Sequence, residues 1–243
     1  MDNIRKNKKD NMDKKVCMFV WNHFTNDARV LRECTALSEA GYSVDLICIH
    51  DPNAEGMPYK EILNDNFIVY RVKRYPATLT FMQSIYRQVM KNKWITGISF
   101  LLWLFLACLA PLAVIPLTIL MSIVLKTKLK SIIIKGSIIT RMVLRGYAKD
   151  YNIYHSDDLN TLPQGYICSK WRLKSRKLVY DSHEVQTSRT GYNSSFYGRM
   201  EAFLIKRIDS MIVENHTRAK YNEDLYGFYP NVVHTYPFKQ TNK

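Results

Sequence analysis

The stretch VCMFVWNHFTNDARVLRECTALSEAGYSVDLICI, residues 16–49, decides the fold. Its first six residues are a short apolar run, the length of a strand buried on both faces. Polar residues interrupt it. From Asp27 onward Val30, Leu31, Cys34, Leu37 and Ser38 recur at helical spacing and share one face. Asn26 or Asp27 can cap that helix, and Gly41 ends it. SVDLICI (43–49) is then a second apolar strand. A strand, a helix and a second strand, all apolar on their facing sides, form a parallel crossover unit.

The pattern continues outward. FIVYRV (67–72) reads as a third strand, and NIYHS (152–156), KLVYDS (177–182) and SMIVEN (210–215) as further ones. FYGRMEAFLIKRI reads as a helix between the last two, and HTRAKYNEDLYGF as one after them. Strands alternating with helices predict an α/β fold, a doubly wound parallel sheet covered on both faces. Residues 1–15, polar and basic, read as a disordered tail without the apolar core of a signal peptide.

In such sheets ligands bind beyond the C-terminal ends of the strands. Three strand ends carry polar groups: WNHFTND after the first, HSDDLN after the fourth and DSHEVQ after the fifth. They should open on one edge. Taken singly, His183 is as readily a helix cap or surface residue as a catalyst, and Asp157 with Asp158 is more often a turn and cap pair than an active-site pair. Their convergence favours a site. Other chemistries lack their signatures. The first loop has no G-x-G-x-x-G, and the chain has no P-loop and no G-x-S-x-G elbow. The six histidines have no metal-ligand spacing, and the five cysteines form no C-x-x-C pair, so no metal and a reducing compartment are expected.

The net charge of +14 is a property of one segment: Arg71 to Lys149 holds 13 Lys or Arg and no Asp or Glu. It is apolar between its charges, unlike a nucleic-acid groove, so no nucleic-acid partner is expected. It contains ITGISFLLWLFLACLAPLAVIPLTILMSIVL, residues 95–125, 31 residues without a charge. A membrane-spanning helix needs roughly 20 such residues. Arg87, Lys91 and Lys93 precede the run, and Lys126, Lys128 and Lys130 follow it. Basic residues mark the cytoplasmic side, so basic residues at both ends favour a re-entrant segment over a single crossing. The flanks, LTFMQSIYRQVMKNK and SIIIKGSIITRMVLRGYAK, read as basic amphipathic helices of the headgroup layer. Residues 76–148 are therefore expected to be a membrane-associated insertion within a domain spanning 16–228, on the cytoplasmic face of a membrane.

Four blocks, NDARVLRECTALSEAGYSVDLI, YHSDDLNTLPQGYICSK, KLVYDSHEV and MEAFLIKRIDSMIVEN, resemble the N-terminal domain of family 4 glycosyltransferases, of Rossmann-like GT-B architecture. The resemblance runs from Val16 to about Phe238 outside the insertion. It implies transfer of a sugar from a nucleotide-sugar donor to a lipid-linked or glycan acceptor of cell-envelope polysaccharide synthesis, with retention and without a metal or other cofactor. It implies that His183 is the catalytic residue, touching the donor sugar near the reacting carbon. Asn26, Asp27, Arg29, Asp157, Asp158 and Glu184 would bind substrate. The usual Gly-Gly of the first loop is replaced by NHFTND. Residues 229–243 fall where the linker to a donor-binding domain would begin, so the chain is expected to lack that domain, as a fragment of a longer protein, as one half of a split gene working with a separately encoded donor domain, or as a truncated product. A non-catalytic membrane-docking or acceptor-presenting subunit of a split transferase, and a flavodoxin-like or nucleotide-sugar-modifying domain, are the other readings open at this stage.

Overall fold

The computed structural model describes residues 14–182 and 195–234. They fall into two compact units. One is drawn from Met1–Val72 and Ile139–Lys243, the other is Lys73–Ile138.

The first unit holds an eight-stranded sheet. Its strands are β1 (Lys15–Phe19), β2 (Ser43–Ile49), β3 (Lys60–Asn64), β4 (Phe67–Val72), β5 (Ile153–Asp157), β6 (Lys177–Asp181), β7 (Ser210–Val213) and β8 (Asn231–Val232). They lie in the order β3-β4-β2-β1-β5-β6-β7-β8. Every pairing is parallel except that of β3 with β4, which is antiparallel. The helices of this unit are α1 (Ala28–Glu39), the C-terminal half of α5 (Leu129–Tyr147), α6 (Leu162–Lys170), α7 (Ser195–Ile205) and α8 (His216–Tyr226).

The crossover read from residues 16–49 is present. Asp27 caps α1, its Oδ1 accepting from the Val30 N–H at 3.1 Å. The helix ends through Gly41, whose φ of 95° only glycine adopts cheaply. Register places Met18 beside Leu46, and Leu46 beside Val69. Val30 and Cys34 of α1 pack on this row to make one core layer. The other face is built from the intervening residues. Phe19 stacks on Tyr154 with ring centroids 6.3 Å apart, and Tyr180 donates to Glu201 Oε1 of α7 at 2.8 Å. α6 meets this face at Gly165, where a Cβ would lie 2.1 Å from Ser156 Oγ.

One expectation is corrected. The sequence reading placed three strands before the insertion, and the structure has four. β3, KEILN, is an edge strand with four of its five residues exposed, so it lacks the apolar run that marked the others. Edge strands are commonly short and charged. The insertion accordingly lies between β4 and β5.

The second unit is helical: α2 (Ala77–Lys91), α3 (Lys93–Leu109), α4 (Pro111–Lys126) and the start of α5. Among the described residues no single helix is long and apolar enough to cross a membrane. Two bent helix pairs meet the test together, one of them α2 with α3, bent by 115°.

Candidate functional site

The strand order reverses between β1 and β5. From β1 the chain builds outward through β2 to β4 and β3; from β5 it builds the opposite way. The crevice at such a reversal is where open α/β sheets hold ligands. The loops leaving β1 and β5 flank it.

Both loops are held in costly conformations. Phe24 (φ 52°) and Asp158 (φ 70°) are the two non-glycine residues with left-handed backbone among those described. Each costs on the order of 1 kcal/mol or more. The fold imposes them through tethers. The Ile49 N–H donates to Asn22 O at 2.8 Å, and His23 Nδ1 donates back to Ile49 O at 3.0 Å. Asn22 Oδ1 accepts from the Phe24 N–H at 2.8 Å, and Asn22 Nδ2 donates to Asp27 Oδ2 at 2.7 Å. After β5, the Asp158 N–H donates to Asp181 O at 3.0 Å, and the Thr161 hydroxyl donates to Asp157 O at 2.6 Å.

A charged cluster spans the reversal point. Arg29, one residue into α1, donates from Nη2 to Asp157 Oδ1 at 2.6 Å. Asp157 and Asp181 are register partners at the ends of β5 and β6, and both are buried. His155, two residues before Asp157 on the same face, places Nε2 3.8 Å from Asp181 Oδ2. Burial pushes the Asp157 carboxyl up to about 9, helped by Asp158, Asp181 and Glu33 and opposed by the Arg29 guanidinium. Burial works against protonated His155, but the nearby Asp181 carboxylate outweighs it, so its pKa is raised. Arg29 is desolvated, yet Asp157, Asp181, Asp27 and Glu33 hold it more firmly protonated.

Glu33, His155 and Asp181 are the one group among the described residues whose ligand atoms could hold a metal, lying within 4.8 Å of one another. Sequence spacing missed this trio because its members come from α1, β5 and β6. The Arg29 guanidinium also acts on all three.

The loop after β1 also lines an open cavity of about 600 Å³. Phe24, Thr25, Asn26, Asp27 and Leu31 line one side, and Glu61, Leu63 and Arg71 the other. Arg71 Nη2 donates to Glu61 Oε2 at 2.7 Å and Nη1 to Pro58 O at 3.1 Å. The wall mixes apolar carbon with fixed donors and acceptors, as small-molecule sites do.

The residues singled out in the sequence divide as follows. Asn26 and Asp27 line the cavity; Arg29 and Asp157 pair in the cluster; Asp158 takes the left-handed turn after β5. His183 and Glu184 lie outside the described residues. Glu33, His155 and Asp181 were not among the candidate ligands, and neither were Arg71 and the β3 residues.

No family model matches the sequence, and no curated protein sequence matches it. Solved structures share its fold. Sucrose-phosphate synthase from Thermosynechococcus elongatus superposes with a TM-score of 0.52 at 9% identity, over 90% of this chain and 46% of that one. TcCGT1, solved in complex with UDP, gives 0.50 at 10% identity, over 95% of this chain and 52% of that one. The chain thus spans about half the length of each. The likeness is one of fold, the mixed α/β architecture of GT-B glycosyltransferases.

Proposed function

We propose that this chain is the acceptor-side half of a family 4-like, retaining glycosyltransferase. It would take a sugar from a nucleotide-sugar donor, held by a second domain, to a lipid-linked or glycan acceptor of the cell envelope. The observation that carries the reading is the cavity between the loop after β1 and the β3–β4 edge. It shares the strained loop after β1 with the reversal point. The fold likeness to sucrose-phosphate synthase and to UDP-bound TcCGT1 supports the class.

The chemistry asks two things of a protein. A sugar–phosphate bond breaks through a cationic, oxocarbenium-like transition state, so donor and acceptor must be oriented and the departing diphosphate stabilised. In this reading the cavity orients the acceptor. Asn26 hydrogen-bonds its hydroxyls, and Leu31 with Phe24 supports its apolar face. His183 contacts the donor sugar. The donor domain supplies the charge that stabilises the diphosphate, and no metal is needed.

Calorimetric titration of the full chain tests the reading. A short-chain prenyl diphosphate sugar should bind. Leu31→Trp, which fills the cavity from an exposed helix position, should weaken that binding by about tenfold or more. A nucleotide sugar alone should bind no better than about millimolar. Micromolar binding of flavin, or of nucleotide sugar unaffected by Leu31→Trp, would refute it.

A further inference from the structure

The geometry points to residues 93–126 as a helical hairpin that enters a lipid bilayer from one face, turns inside the hydrocarbon and returns to the same face. The inference stands on the second unit alone and does not depend on the reading of the cavity.

The hairpin follows from one hydrogen bond. Trp103 Nε1 donates to Thr118 Oγ1 at 2.9 Å. Were α3 and α4 one straight rod, residues 15 apart would be separated by roughly 22 Å. The contact therefore requires the two helices to fold back at Ala110–Pro111. Ala110 has φ −140° and ψ 64°, outside the helical region. Pro111 starts α4 and has no N–H to bury, while the Ala110 N–H donates to Leu106 O at 2.9 Å. The turn thus meets part of the bilayer's demand that backbone groups be satisfied internally.

The side chains do the same. Thr118 accepts from the Trp103 indole and donates its hydroxyl to Val114 O at 2.7 Å. The Thr96 hydroxyl lies 2.7 Å from Val89 O and 3.0 Å from Asn92 O, within reach of both carbonyls. Thr96, Trp103 and Thr118 are thus paired within the unit.

Lipid is the occupant that fits the surface. α3 and α4, described throughout, have no buried residue. Leu104, Phe105 and Leu106 are consecutive, so they point about 100° apart around the helix, and all three are exposed. A protein groove would cover one face and leave another polar. A helix apolar all round asks for an apolar solvent. The tip carries no anchor for a far headgroup layer: Leu109 and Leu112, the latter 92% exposed, flank Ala110–Pro111. Each arm is about 25 Å long, short of a hydrocarbon core of about 30 Å. Both open ends carry the interface signature. Lys91, Lys93 and Trp94, 83% exposed, stand at one, and Lys126, Lys128 and Lys130 at the other. The cationic ends match an anionic leaflet.

Cys108, two residues before the turn, is the exposed cysteine; the other four are buried. That permits a direct test on the full chain. The protein is labelled at Cys108 with an environment-sensitive nitrobenzoxadiazole dye and mixed with phosphatidylcholine vesicles containing phosphatidylglycerol. Lipids brominated deep in their tails should quench the dye, and external dithionite should not reach it. Dyes at Lys93→Cys or Lys128→Cys, each in a Cys108→Ser background, should both be bleached by dithionite added outside. Without phosphatidylglycerol, partitioning should weaken by at least about tenfold. Leu112→Asp should keep the helical circular dichroism, since position 112 is exposed, and lose flotation with vesicles. Protection of one of the two end dyes would mean a single crossing and overturn the hairpin. So would failure to float, with the Cys108 dye buried in a lipid-free oligomer.

Discussion

His155 and Asp157 stand two residues apart on one face of β5, and both bind their protons more tightly in the folded protein than as free side chains. The sign of the resulting pH dependence follows. A group whose folded pKa is raised contributes stability below its unfolded pKa and loses it as pH rises through the folded one. Asp157 titrates near 4 when unfolded and at about 9 when folded. Stability to urea should therefore fall as pH rises across that interval, with His155 adding to the fall above about 6.5, its unfolded value. Asp157→Asn should flatten the profile, while a profile unchanged by Asp157→Asn would show that the carboxyl stays ionised beside Arg29. His183 calls for a different measurement. In an assembly with a donor domain, His183→Ala should lower turnover by about 10²-fold without lowering the melting temperature. A drop in melting temperature with normal turnover would make it a structural histidine.

The helices are placed by single contacts whose loss can be measured. Asp27 caps α1 and also accepts from Asn22, so it fixes the helix start and the loop before it. Asp27→Ala should cost about 1–2 kcal/mol in chemical denaturation, and Asp27→Asn much less. Gly165 lets α6 press onto β5 and β6, where an added Cβ would lie 2.1 Å from Ser156 Oγ and 2.8 Å from Leu178 Cδ1. Gly165→Ala should cost about 1–3 kcal/mol. Ser156→Gly in the same chain should recover part of it, because the hydroxyl is the nearest obstacle. Absence of any recovery would place the strain at Leu178.

At the scale of the molecule, an α/β unit with a buried core and a helical unit that exposes many large apolar side chains share one chain. Surface charge is screened by salt, whereas buried apolar area is not. Membrane association through the hairpin should therefore resist molar salt, and loss of the protein from membranes in salt would point to charge alone. Replacing residues 93–126 by a short flexible linker should release the chain to the aqueous phase. The denaturation midpoint of the α/β unit should change little, since α3 and α4 have no buried residue.

The sequence by itself determined the parallel strand core, the first crossover and the apolar insertion. Local pattern suffices there: unbroken apolar strands mean two covered faces, and 31 consecutive uncharged residues mark a segment with no charged face. It also marked the loops after β1, β5 and β6 as polar strand ends. What only the tertiary structure decided is pairing across distance. Arg29 meets Asp157, 128 positions away. His155 meets Asp181 through the register of β5 and β6. β3, polar and exposed, became a strand because β4 offered it an open edge. The fold-back of α3 on α4 was legible only as basic residues at both ends of an apolar run until Trp103 was placed on Thr118. Periodicity reports which side of an element faces the core; which elements then become neighbours is decided by how the sheet is ordered, and that order sets the site.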